Sequence, residues 1–188
     1  MNSGGEPEAV GSSAVTTSLA ELIKTHIRDV NDFPSPGIIF KDITPLLADP
    51  VAFCAVIDAL AGGHGPVDKV VGIEARGFIL AAPVACRLGA GFVPVRKQGK
   101  LPAATHAQSY QLEYGTATVE VHKDAFAVGD RVLVVDDVLA TGGTARATAE
   151  LIRRAGADVT AIAVLLELGF LSGRGQLADL SVRTLLTV

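Results

Sequence analysis

The residues best suited to chemistry lie in one string, Asp136-Asp137-Val138-Leu139-Ala140-Thr141-Gly142-Gly143-Thr144. Adjacent glycines let a backbone curl around an anion without side-chain clash, and a helix starting there leaves unpaired N–H donors at its first turn. Thr141 and Thr144 add hydroxyl donors. These features suit a phosphate monoester. Asp136 and Asp137 cannot ligate that phosphate, because like charges repel, but they can accept hydrogen bonds from the 2′ and 3′ hydroxyls of a ribose. A phosphate cradle beside an acidic pair therefore points to a sugar phosphate. Two rival phosphate motifs are missing. There is no G-x-x-x-x-G-K-S/T, whose lysine would reach the outer phosphates of a nucleotide, and no G-x-G-x-x-G opening a helix after a strand.

These residues need a scaffold, and the hydrophobic pattern supplies one. Residues 132–135 form a wholly apolar strand running into the acidic pair, and 144–155 read as a helix stopped at Gly156. Open parallel sheets bind ligands outside the carboxyl ends of their strands, and the loop lies at such an end. Upstream, 19–27 have helical spacing until Phe33-Pro34-Ser35-Pro36-Gly37 forces an extended turn. Residues 51–61 read as a helix with Pro50 near its start and Gly62-Gly63 at its end. Then come a strand over 69–73, a turn at Glu74-Ala75-Arg76-Gly77, a helix over 78–88 and a strand over 91–96. Residues 97–109, with charge, Gly, Pro and little periodicity, read as a long mobile loop. Residues 116–122 read as a partly exposed edge strand, 159–166 as a buried strand and 181–188 as the last. The fold class is α/β, a mostly parallel sheet flanked by helices.

Composition narrows the function classes. The chain has 188 residues, 49% hydrophobic and 19% charged, which suits one globular domain. Net charge is −4 without a basic tract, which argues against a nucleic-acid partner. Arg87 interrupts the best apolar stretch, 78–95, well short of the roughly 20 residues of a membrane span. Residues 1–18 carry no Lys or Arg and no apolar core, so they read as a disordered lead-in and not as a secretory signal. Cys54 and Cys86 sit in apolar helical stretches and read as buried free thiols in a reducing cytoplasm. The four histidines lack metal-ligand spacing.

The string from Val132 to Thr144 resembles the diphosphoribosyl-binding signature of the type I phosphoribosyltransferases. Four further segments resemble the adenine phosphoribosyltransferases of that family: Phe33-Pro34-Ser35-Pro36-Gly37-Ile38-Ile39-Phe40-Lys41-Asp42-Ile43, Glu74-Ala75-Arg76-Gly77-Phe78, Arg96-Lys97-Gln98-Gly99-Lys100-Leu101-Pro102 and Ser109-Tyr110-Gln111-Leu112-Glu113-Tyr114-Gly115. The resemblance implies one catalytic domain over 19–188, with a small N-terminal hood at about 19–45. It implies transfer of a 5-phosphoribosyl group from 5-phosphoribosyl 1-diphosphate to adenine, giving AMP and pyrophosphate.

By the same resemblance Ala140, Thr141, Gly142, Gly143 and Thr144 bind the 5-phosphate, and Asp136 and Asp137 the ribose. Glu74, Ala75 and Arg76 meet the pyrophosphate, with Glu74–Ala75 a cis peptide. Lys97 and Lys100 bring charge to the leaving group. Glu113, followed by Tyr114, is the candidate acid/base. Backbone groups at Ile39 and Lys41 read the base edge, with Phe40 and Leu168 sandwiching its ring. Mg²⁺ arrives on the substrate, without direct protein ligands, and the assembly is a homodimer. Two other readings remain: a phosphoribosyltransferase for a 6-oxopurine, and a regulator that senses the sugar diphosphate without turning it over.

Overall fold

Ser18 is not part of a lead-in: its Oγ accepts the Glu21 N–H at 3.2 Å while Glu21 accepts the Ser18 N–H, a capping box that starts α1 (Leu19–Thr25). The computed structural model describes residues 18–111 and 115–188, so the expectation for residues 1–17 lies outside the described residues, as it does for Glu113 and Tyr114. After α1 the chain forms a two-stranded antiparallel hairpin, β1 (Arg28–Asn31) with β2 (Ile39–Asp42). This hairpin occupies the place expected for the hood.

Next come α2 (Thr44–Ala48), α3 (Pro50–Ala61), β3 (Lys69–Ile73), α4 (Gly77–Leu88) and β4 (Gly91–Lys97). The Asp49 carboxylate caps α3 by accepting the Val51 and Ala52 N–H groups, with Pro50 in the first helical turn. Gly89, at φ +64, ends α4 in the left-handed conformation that glycine adopts without penalty. The chain continues through β5 (Thr105–Gln111), β6 (Thr116–His122), β7 (Arg131–Leu139), α5 (Gly143–Arg154) and β8 (Asp158–Glu167). Two 3₁₀ turns, Gly169–Leu171 and Gly173–Leu177, lead into β9 (Val182–Thr187).

The main sheet has the order β5-β6-β4-β3-β7-β8-β9. Strands β4, β3, β7, β8 and β9 are parallel, and β6 and β5 extend them antiparallel. Alternate residues feed opposite faces, as strand geometry requires. Val70, Leu133 and Val135 pack toward α1, α3 and α4, while Val71, Val132 and Val134 pack toward α5. Both faces being covered, the central strands read as continuous apolar runs.

Three expectations are corrected. Residues 105–109 of the expected loop belong to a strand: β5 pairs with β6 from Thr105↔His122 to Gln111↔Thr116. Its polar residues satisfy an edge strand, Ser109 and Thr118 share a hydroxyl bond at 2.9 Å, and backbone pairing outweighs weak hydrophobic periodicity. Consequently β6 is an inner strand with neighbours on both sides. Cys54 and Cys86 are exposed, because their helices are apolar on nearly all faces and composition alone does not say which face turns outward.

The hood is pinned at Asp42, which accepts Arg28 Nη2 at 2.6 Å, the Thr44 N–H at 2.9 Å and the Thr44 hydroxyl at 2.9 Å. The Thr44 N–H first, then the Arg28 guanidinium, hold its carboxyl down at about 2. A carboxyl with a depressed folded-state pKa stabilises the fold fully above its ordinary value of 3.8, and that contribution fades as pH falls toward about 2. Asp42→Asn is therefore expected to speed amide exchange across residues 28–42 at pH 7. Unchanged protection would contradict the pinning role.

Candidate active site

Strands β3 and β7 are parallel neighbours, so the turn after β3 and the acidic residues of β7 open at one edge of the sheet. Between them lies a cavity of about 340 Å³ lined by Glu74, Ala75, Arg76, Lys97, Tyr110, Asp136, Asp137 and Thr144, together with Ile73 and Val119. The sequence pattern thus brings the acidic pair, the Glu74–Gly77 turn and one lysine into one space. Glu74–Ala75 is a cis peptide, as the resemblance implied.

The acidic pair lies within β7 and not past its end, since β7 pairs with β8 as far as Leu139↔Glu167. Asp136 keeps some surface on the cavity but sits deep among protein atoms, and it accepts the Asp137 N–H at 2.9 Å. Burial, then the Asp137 charge, pushes the Asp136 carboxyl well above the ordinary range. Burial also raises Asp137, against the opposing pull of Arg76. Gly77 admits α4 close to this pair: a β-carbon there would lie 2.8 Å from Asp136 Oδ1 and 3.0 Å from the Val135 carbonyl oxygen.

Arg76 joins three groups. Its Nη2 lies 2.7 Å from Asp137 Oδ2, its Nη1 donates to the Lys41 carbonyl at 3.1 Å, and its Cζ sits 4.7 Å from the Phe40 ring centroid. The Asp137 contact is an ion pair without hydrogen-bond alignment, so among the described residues Oδ2 has no hydrogen-bond donor. A buried carboxylate oxygen in that condition is an acceptor suited to a hydroxyl.

The phosphate loop borders a smaller space of about 80 Å³ lined by residues 138–145 with Asp136 and Val164. Gly142, at φ +86, is the N-cap of α5, and the first helical bond runs from the Arg146 N–H to the Gly142 carbonyl. The N–H groups of Gly143, Thr144 and Ala145 are thus spare of helical bonding. The Thr144 hydroxyl donates to the Tyr110 hydroxyl at 3.0 Å. Tyr110 stood in the 109–115 segment of the resemblance without a role, because its contact with Thr144 exists only once β5 is formed.

Gly173 was missed as well. A β-carbon on it would overlap the Ala140 carbonyl, and one on Gly142 would overlap the Gly173 carbonyl. Two backbones meet there without side chains between them. The segment is fastened by Arg174, which binds Glu167 and the Val182 carbonyl, and by Arg146 and Arg153, which share Asp179. Only the unexplained glycine in Ser172-Gly173-Arg174-Gly175 could have signalled it.

A third cavity, about 460 Å³, lies between the hood and the 3₁₀ turns, lined by Gly37, Ile38, Ile39, Lys41, Leu168, Phe170 and Leu171. Ile39, Lys41 and Leu168 were expected at the base. Phe40 does not line this cavity: period-two alternation along β2 turns its ring away, edge-on to Phe33 at 5.2 Å and beneath Arg76. Phe170, 76% exposed, is an apolar wall here that the sequence reading did not single out. Lys100 is not free at the cavity mouth, because its ammonium is bonded to Glu74.

A phosphate cradle after an acid-tipped strand, on a mostly parallel sheet beneath an N-terminal hairpin, is the architecture of a type I phosphoribosyltransferase. The family model for the phosphoribosyl transferase domain matches residues 39–178. The adenine phosphoribosyltransferase of Acidothermus cellulolyticus is 65% identical over 172 residues, covering 90% of this chain and 97% of its own. The crystal structure of adenine phosphoribosyltransferase from Rhodothermus marinus superposes with a TM-score of 0.87 at 55% identity, covering 90% of this chain and 98% of that one. The Saccharomyces cerevisiae enzyme, solved with an imino-altritol bisphosphate and adenine, gives 0.85 at 40% identity over 89% and 98%. The chain belongs to the adenine phosphoribosyltransferases.

Gly173→Ala is expected to push the phosphate loop outward, raising KM for 5-phosphoribosyl 1-diphosphate and destabilising the fold by about 1–3 kcal/mol. Steady-state kinetics and thermal melting check this. A variant with unaltered KM would show that the loop does not depend on that contact.

Proposed function

We propose that the protein transfers the 5-phosphoribosyl group from 5-phosphoribosyl 1-diphosphate to adenine, forming AMP and pyrophosphate. The observation that carries this reading is Arg76, whose one guanidinium touches both the Lys41 carbonyl, on the strand beside the proposed base cavity, and the carboxylate proposed for ribose. The attacking nitrogen of the base and the anomeric carbon must be held in line, and one rigid group spanning both subsites serves that need.

The bond from the anomeric carbon to the diphosphate oxygen breaks, the bond to the base nitrogen forms, and the base gives up a proton. Asp136 and Asp137 orient the ribose hydroxyls, and the Ala140–Thr144 loop holds the 5-phosphate by backbone N–H groups and hydroxyls. The Ala75 backbone contacts the departing diphosphate and Arg76, Lys97 and Lys100 offset its charge, with Glu74 in the same turn. Glu113, followed by Tyr114, is the proposed proton acceptor, on the strength of the family resemblance. Ile39, Lys41 and Leu168 bound the base, and Phe40 positions Arg76. A fixed backbone acceptor along residues 39–41 of β2 favours a 6-amino over a 6-oxo purine, because a 6-oxo group facing it finds no donor.

Mg²⁺ fits this cavity as a passenger on the substrate. Glu74 is tied to Lys100 and Asp137 to Arg76, so these carboxylates at the cavity are engaged by the protein's own cations, and the metal would be held through the substrate's phosphate oxygens. When bound, it neutralises diphosphate charge. Among the described residues no helix is long and apolar enough to cross a membrane. We place the enzyme in the cytoplasm as a homodimer; the exposed Ile79 and Phe92 give a second copy apolar surface to cover.

Protein supplied with Mg²⁺, 5-phosphoribosyl 1-diphosphate and one purine at a time is expected to form AMP from adenine and no nucleotide from hypoxanthine, guanine or xanthine. Turnover of a 6-oxopurine would overturn the base assignment. Binding of the sugar diphosphate without product would favour a sensing role.

A further inference from the structure

Glu74 is an anion placed where the reaction needs cations. Its carboxylate bonds the Lys100 ammonium, accepts the Lys97 N–H at 3.0 Å and lies 3.3 Å from Arg96 Nε, while Arg96 Nη1 donates to the Lys100 carbonyl at 3.0 Å. The side chain is only 9% exposed, yet the residue lines the cavity that also holds Lys97, Arg76 and the acidic pair. Glu120 adds a second carboxylate, accepting the Gly99 N–H at 3.0 Å, so the 97–100 segment is tied down from two sides. Burial alone would raise the Glu74 carboxyl, but Lys100, the Lys97 N–H and Arg96 together hold it below its ordinary value. It therefore stays charged through the neutral range.

We propose that Glu74 is an internal competitor for the diphosphate: it occupies the Lys100 ammonium, and the diphosphate must draw that cation away from it. This rests on the reading of Lys97 and Lys100 as the leaving-group site. A like charge beside the cations opposes binding of a multiply charged anion, while a side chain that merely braced the segment would favour it. The two roles predict opposite signs. By weakening the hold on pyrophosphate, Glu74 would also ease its release.

The test is calorimetric titration of inorganic pyrophosphate with Mg²⁺ into wild-type protein and Glu74→Gln, with thermal melting to verify folding. Glu74→Gln is expected to bind pyrophosphate roughly three- to tenfold more tightly, the span set by an interaction open to solvent and salt. Equal or weaker binding would overturn the proposal. Should the glutamine variant not fold, Glu74→Asp, one carbon shorter and so detached from Lys100, is expected to tighten binding by less but with the same sign; equal or weaker binding again overturns it. Wild-type protein that binds no pyrophosphate would instead remove the leaving-group site itself, and the proposal with it.

Discussion

Two adjacent carboxylates among apolar strands repel each other and lose their water, and the fold around Asp136 and Asp137 is arranged to tolerate this. Burial pushes both carboxyls upward, and Asp137 is countered by Arg76 at 2.7 Å. Arg76 can stand there because Gly77 lets α4 begin against β7, and because β3 and β7 are parallel neighbours. A buried ion pair of this kind is poor support for stability, since desolvation offsets most of the attraction. Its value lies in keeping acceptor oxygens fixed at the cavity.

The same guanidinium extends the constraint to the hood. Through the Lys41 carbonyl and the Phe40 ring it links β2 to the acidic pair, so the subsites proposed for base and sugar share one support. On the other side, the phosphate loop is backed by the Gly173 turn, held in place by Arg174 on Glu167 and by Asp179 between Arg146 and Arg153. Each proposed subsite is thus braced by groups outside it, as a site held to the tolerance catalysis requires must be.

Much of this was legible in the sequence wherever local chemistry decides the outcome. The run into Asp136-Asp137, the glycines at the start of α5 and the Pro50 helix boundary each carry their own physical signal. The resemblance named Glu74, Ala75, Arg76, Lys97, Asp136, Asp137 and Thr144, which line one cavity, but it set Phe40 at a cavity the ring does not line. Features that depend on distant partners were not legible. Strand β5 exists because β6 offers it a backbone ladder; Tyr110 against Thr144 leaves no local trace, and Gly173 against Ala140 leaves only an unexplained glycine. The Cys54 and Cys86 thiols point outward for a similar reason: packing of α3 and α4, and not their composition, chooses the covered face.

The central claim is that the acidic pair is retained for the ribose at a cost to the fold. Because the folded-state pKa of Asp136 is raised, its carboxyl stabilises the fold only while protonated, and that contribution is lost as pH rises above 3.8. A neutral amide of the same shape, still able to accept the Asp137 N–H, should remove the cost. Asp136→Asn measured at neutral pH is therefore expected to melt higher by a few degrees, roughly 1–2 kcal/mol. Its kcat/KM for 5-phosphoribosyl 1-diphosphate should fall by about tenfold or more. A variant that melts lower, or that keeps full activity, would contradict the account.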